Sequence, residues 1–241
     1  APPALQTANR SMKVRPQALG SRCLLRVACL ALLSLPAAGL GGRVLSEGVV
    51  ETLLKEMTLE EKVGQLGVFS RPSGSDFNPG SKAEWNASVK QVRNGLVGGF
   101  FNGAGVAKNR ELQDVAVRES RLGIPLLFGA DIWHGMWTIF PVPLGEAASW
   151  DPDLAMSTAR AAAAEASASG LVWTFAPMVD TARDQRWGRN VEGAGEDPFL
   201  GAAFAEARVR GFQGHDLTEA NSIGACLKHF AAYAGVADGL D

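Results

Sequence analysis

Short apolar runs alternating with amphipathic stretches constrain this chain more than any other feature. Residues 96–101, 125–131, 171–179 and 222–227 are apolar almost throughout, not at every second position. Strands of that kind are buried on both faces, which is the mark of a parallel sheet covered by helices. The stretches between them carry helix signals. Ser46 is placed to cap a helix whose apolar face is Val49, Val50, Leu53, Leu54 and Met57, and Thr58 opens a second. Glu61 follows Thr58 by three residues, forming a capping box, with Val63 and Leu66 expected to face inward. Helices are predicted over 82–94 and 109–120, the latter presenting Leu112, Val115 and Ala116. Asp151-Pro152 and Asp197-Pro198 each set a capping acid before a proline at the first helical position, predicting helices over 155–168 and 199–211. Residues 70–82, rich in Ser, Gly and Pro, read as a loop. The alternation suits a (β/α) barrel or a doubly wound sheet. No Gly-x-Gly-x-x-Gly follows a strand and no phosphate loop exists, which disfavours nucleotide binding.

Charge divides the chain in two. Residues 1–43 hold six Lys/Arg and no acid, so the remainder carries 17 basic and all 25 acidic side chains, a net of −8. A body that acidic is unsuited to phosphate backbones, and nucleic acid is not an expected partner. Within 1–43, Met12 resembles a natural start. Lys13, Arg15, Arg22 and Arg26 precede a short apolar run over 27–35, then Pro36, Ala37, Ala38 and Gly39. That is the layout of a secretory signal, too short for the roughly 20 apolar residues of a spanning helix. Residues 1–43 are therefore expected to be an upstream extension plus a leader, and 44–241 the folded product, soluble and secreted or periplasmic. Only Cys226 lies in that product, so no internal disulfide is expected.

Three of the apolar runs end on polar residues: Asp131, Asp180, and Lys228 with His229. In a parallel barrel, the carboxyl ends of the strands carry the active site. Around Asp131 the chain reads Gly129-Ala130-Asp131-Ile132-Trp133-His134-Gly135. A carboxylate accepts from two neighbouring hydroxyls of one sugar, at about 1.5–3 kcal/mol for each bond to a charged group. Trp133, Trp137 and His134 add ring faces and polar edges. Residues 183–198 bring three Arg and four acids together around Trp187. Most of these charges are expected to pair with each other; Arg189 is the one expected to offer its donor fork to a ligand. Lys228 and His229 are adjacent, and neighbours on a strand point to opposite faces, so both reach one pocket only if the backbone is irregular there. His134, His215 and His229 lack metal-ligand spacing, so no metal site is expected.

Taken in order, these segments resemble glycoside hydrolase family 3, the β-glucosidase and β-xylosidase group. The resemblance rests on the run from Met57 to Leu66, on Ser120-Arg121-Leu122-Gly123-Ile124-Pro125 and on Asp131-Ile132-Trp133-His134-Gly135 with Thr138-Ile139-Phe140-Pro141. It continues through Arg183-Asp184-Gln185-Arg186-Trp187-Gly188-Arg189, Glu192, Gly195-Glu196-Asp197-Pro198 and Lys228-His229-Phe230. It implies a TIM-type (β/α) barrel of which residues 44–241 hold about the first four or five strands, normally followed by an α/β sandwich domain. It implies an exo-acting retaining hydrolase of terminal β-D-glucosyl residues, acting on β-glucosides or oligosaccharides without a cofactor. Asp131, Arg189, Lys228 and His229 match positions that hold the sugar hydroxyls. Arg186 and Trp187 match the supporting loop, with Trp133 and His134 beside Asp131. Gln185 departs from the usual proline, and Gly239-Leu240-Asp241 from the usual arginine before the acid. The family's nucleophile and acid/base match no carboxylate of this chain and are expected beyond it. The alternatives are an inactive sugar-binding fragment or xylose specificity. The N-acetylglucosaminidase branch is disfavoured because Ala231-Ala232-Tyr233 replaces its Pro-Gly-His. A barrel cut after four or five strands is expected to leave an open edge, marginal stability and a tendency to aggregate. Neither oligomeric state nor aglycone is legible.

Overall fold

The structure is a computed structural model, and it describes residues 47–71, 81–103 and 105–236. The expected leader over 1–43 and Gly239-Leu240-Asp241 lie outside the described residues, as does most of the expected loop over 70–82. Among the described residues, no helix is long and apolar enough to cross a membrane.

Local capping chemistry sets most helix starts. Helix α1 spans Glu47–Glu56 and α2 spans Leu59–Gln65. The Glu61 amide donates to Thr58 Oγ1 at 3.2 Å and the Thr58 amide donates to Glu61 Oε2 at 2.9 Å, closing the expected capping box. Helix α3, Lys82–Arg93, repeats the device with Ser81 and Glu84. Helix α4 is Val106–Glu119 and the short α5 is Pro143–Ala147. Helices α6, Pro152–Ala168, and α7, Pro198–Gln213, start as predicted: Asp151 accepts from the Leu154 amide and Asp197 from the Phe199 amide.

Strands β1 Val68–Ser70, β2 Gly99–Phe101, β3 Leu127–Ala130 and β4 Trp173–Thr174 form one parallel sheet in sequential order. Phe69, Phe100 and Phe128 stand side by side across it. The expected strand over 171–179 is cut short, and that over 222–227 survives only as bridges from Trp173 to Gly224 and from Met178 to Lys228. The two segments still exchange backbone bonds, among them Gly224 N to Val172 O at 2.8 Å and Val179 N to Lys228 O at 2.7 Å. Pro177 has no N–H to contribute, so regular pairing stops there. Strand β1 went unread because three residues carry no usable period.

The core lies between the sheet and helices α4, α6 and α7, with Phe100, Leu112, Phe128, Ile132, Phe212 and Ile223 fully or almost fully buried. Helix α6 meets α7 through small side chains. Ala155, Ala159, Ala162, Ala163 and Ala166 are buried, and a Cβ at Gly211 would fall 2.4 Å from the Met156 carbonyl oxygen.

The faces of the first two helices differ from expectation. Val49, Val50 and Leu54 are exposed, and so are Val63 and Leu66, at 60% and 84%. Glu61 and Gly64 face inward instead. Glu61 is fixed by Thr58 on one side and by Arg121 on the other, whose Nε donates to Glu61 Oε1 at 2.9 Å. At Gly64 a Cβ would lie 2.5 Å from Leu96 Cα, so only glycine admits the backbone behind it. These two contacts set the rotation of α2, and the apolar stripe is turned outward.

Candidate active site

The polar ends of three chain segments converge. Asp131 follows β3, Asp180 lies six residues beyond β4, and Lys228 with His229 follows the bridging segment paired to β4. Lys228 Nζ donates to Asp131 Oδ1 at 2.7 Å and lies 3.6 Å from Glu192 Oε2. The lysine is largely buried while the Asp131 side chain is 46% exposed. One oxygen of Asp131 is thus anchored and the carboxylate still faces solvent.

Arg189 is engaged more fully than expected. Its Nε and Nη2 donate to the two oxygens of Glu192 at 2.7 and 2.8 Å, a bidentate pair. The 3₁₀ turn Asn190–Glu192 brings this acid, three residues on, beneath the guanidinium. The fork that the sequence left for a ligand is therefore closed locally. Its remaining Nη1 lies 3.5 Å from the Tyr233 hydroxyl, and the guanidinium sits 5.5 Å from that ring's centre. Arg189 holds the Glu192 carboxyl below the ordinary range against the opposing effect of burial, with help from the charges of Arg189, Lys228 and His229. Glu192 in turn raises the pKa of Arg189.

His229 turns to a different acid from its neighbour Lys228. Its backbone amide and its Nδ1 both meet Asp180 Oδ2 at 2.9 Å. The buried carboxylate accepts, so Nδ1 carries the proton and Nε2 is the free ring position. The Lys228–His229 peptide is cis, an irregular backbone at the step where a regular strand would send the two side chains to opposite faces. The His229 ring packs edge-on to Tyr233 at 4.5 Å, and Trp187 does so from its own side at 5.3 Å.

Asp131, Lys228, Arg189 and His229 thus form one connected group, linked through Glu192 and Tyr233. Arg186 is exposed and forked onto Asp184, whose carboxyl it lowers to about 2. Trp187 is buried as a wall of the Tyr233 cluster. Trp133 packs partly into the core and edge-on to His134, whose Nδ1 meets the Phe140 carbonyl at 3.1 Å. Gly135 turns the chain at φ 116, and a Cβ there would meet Thr138 O at 2.0 Å. Glu192 and Tyr233 went unassigned in the sequence. The spacing of Glu192 from Arg189 was the available signal; Tyr233 had none. Among the described residues no group of three His, Cys, Asp or Glu is placed to hold a metal ion.

Chemically, the mouth offers a half-exposed carboxylate, an ammonium and an imidazole nitrogen within one network. Acceptors and donors so mixed suit vicinal hydroxyls better than an anion or an apolar ligand.

The family model for the Glycosyl hydrolase family 3 N terminal domain matches residues 58–241. The chain is 40% identical over 195 residues to a periplasmic β-glucosidase of Salmonella typhimurium, covering 81% of this chain and 24% of that protein. It is 33% identical to a putative β-xylosidase of Formosa agariphila, covering 79% and 27%. Among solved structures it is similar to a Listeria innocua β-glucosidase in complex with glucose, with TM-score 0.68 and 34% identity over 79% of this chain and 27% of that one. It is similar also to an exo-1,3/1,4-β-glucanase of a Pseudoalteromonas species, with TM-score 0.66 and 32% identity over 81% and 26%. The chain spans about a quarter of the length of these relatives.

Proposed function

The chain belongs to glycosyl hydrolase family 3, and from that premise we propose that it is the sugar-gripping N-terminal part of an exo-acting retaining β-glucosidase. The observation that carries this reading is the Lys228–Asp131 pair: a carboxylate anchored on one oxygen and open on the other, at the carboxyl end of a parallel strand. In this reading the free oxygen of Asp131 accepts from sugar hydroxyls. Lys228 and the free Nε2 of His229 complete the grip, and Arg189, braced by Glu192, closes it from the side. Arg186 and Trp187 shape the loop below, and Trp133 and His134 support the turn after Asp131.

None of the acids at the mouth is assigned to bond cleavage. Asp180 is taken by His229 and Glu192 by Arg189. A retaining mechanism needs two carboxyl groups about 5–5.5 Å apart, one free to attack and one free to protonate the leaving group. We assign both to positions that match no residue of this chain. The parallel sheet is read as part of a (β/α) barrel domain over 44–241. Residues 1–43 are read as an extension and leader directing the product to the periplasm or outside the cell. Glucose is favoured over xylose because the relative at 40% identity is named a β-glucosidase.

Titration calorimetry of this chain with glucose and with xylose tests the reading. Glucose is expected to bind, and more tightly than xylose. Absence of binding to either sugar refutes the grip, and tighter binding of xylose moves the specificity to the xylosidase side. Turnover of an aryl glucoside by this chain alone would overturn the assignment of the catalytic carboxylates.

A further inference from the structure

The only buried ion pair that joins three helices among the described residues lies behind the mouth, not in it. Arg208 on α7 meets Glu146 on α5, with their side chains 7% and 2% exposed. Thr158 Oγ1, from α6, donates to the other oxygen of Glu146. Burial pushes the Arg208 guanidinium below arginine's ordinary pKa, and Glu146 opposes that shift. Such a pair is a poor device for simply holding helices together. Well-packed apolar residues of similar volume do that equally well or better, because the charges lose their water. Stability therefore leaves its presence unexplained.

What an apolar side chain cannot supply is a donor. Arg208 Nη1 donates to the Trp133 carbonyl at 2.8 Å, bridging 75 residues of sequence. Trp133 is two residues beyond Asp131. Between them, Ile132 is fully buried and its amide donates to Thr174 Oγ1 on β4 at 3.1 Å. The Asp131 carboxylate itself is half exposed, and among the described residues its side chain meets Lys228 alone. Besides Lys228, its aim depends on the main chain that follows it, and that main chain is held by Thr174 on one bond and Arg208 on the next.

We propose that Arg208 is a positioning residue: braced by Glu146, its guanidinium fork fixes the segment 131–133 and so aims the Asp131 carboxylate at the sugar. This rests on the functional reading above. Glu146 aligns the fork and Thr158 aligns Glu146. Lysine cannot substitute, because a point charge held by Glu146 does not present a second, fixed donor to the Trp133 carbonyl.

The test removes the pair without stranding a charge. Arg208→Met with Glu146→Leu in the full chain is expected to keep the circular dichroism spectrum and the melting temperature. Exchange of the Ile132 amide should become roughly tenfold faster while that of Leu112 is unchanged. Glucose affinity should fall roughly tenfold, the loss of one well-aimed hydrogen bond to a charged acceptor. Arg208→Lys provides the same comparison should the double variant fail to fold, with the same two losses expected. Arg121→Ala, which breaks the remote Glu61 pair, is expected to lower the melting temperature and leave glucose affinity alone. Unchanged exchange at Ile132, unchanged glucose affinity in the Arg208 variants, or an equal loss of affinity in Arg121→Ala overturns the proposal. If the unaltered chain binds no glucose, the functional reading falls, and exchange at Ile132 still decides whether Arg208 holds the segment.

Discussion

Arg208 and Lys228 each face a carboxylate, yet their surroundings differ in every respect that matters. The Arg208–Glu146 pair is closed: both side chains are buried, Thr158 takes the second oxygen of Glu146, and Arg208 also donates to the Trp133 carbonyl. The Lys228–Asp131 pair is open, with its acid 46% exposed. In the closed pair both carboxylate oxygens of Glu146 are engaged by protein groups and the side chains are shielded from solvent, which suits it to transmit position. The open pair retains capacity and can take a ligand. The two differ in how fully their acids are engaged rather than in charge, and under the proposed reading that difference separates a brace from a grip.

Four measurements break or sharpen this contrast. Glu146→Leu alone strands the Arg208 charge in the interior and is expected to cost about 3–5 kcal/mol in urea unfolding; a loss near zero would mean the pair is not closed. Gly211→Ala, on the same helix as Arg208, forces a methyl against the Met156 carbonyl and is expected to cost about 1–3 kcal/mol. Lys228→Met opens the grip instead: unfolding should change by only about 1 kcal/mol, since its partner Asp131 is half solvated, while calorimetric glucose binding is lost. Retention of glucose binding there would remove Lys228 from the site. The smallest effect belongs to Arg186→Ala. The Asp184 carboxyl, at about 2 beside Arg186, should titrate nearer the ordinary value of about 3.9 in a carbon NMR titration. Because the folded value is depressed, the contribution of this pair is present above about pH 3.9 and fades as pH falls through about 2. An unmoved midpoint would detach Arg186 from Asp184.

The parts of this structure legible in the sequence are those encoded locally. Thr58 with Glu61, Asp151 with Pro152, and Asp197 with Pro198 announced helix starts because the cap and its partner lie within three residues. The clustering of Asp131 and Lys228 was legible because apolar runs end where strands end. The rotation of α2 was not, since it depends on Arg121, 60 residues from Glu61, and on a backbone approach at Gly64. The brace at Arg208 escaped for the same reason. Its partners lie 62 and 75 residues away, and in the chain it reads as one charge among several on a helix. The closure of Arg189 by Glu192 could have been read at a spacing of three, but a spacing does not say which of several acids a guanidinium will choose.

The sequential strand order has a consequence in time. Each strand lies beside the one made just before it, so a chain emerging from one end finds the next docking edge already formed. The contact between Lys228 and Asp131 spans 97 residues and waits for every strand between them. In chain order, the proposed grip can therefore close only after the strands between its two halves have been made.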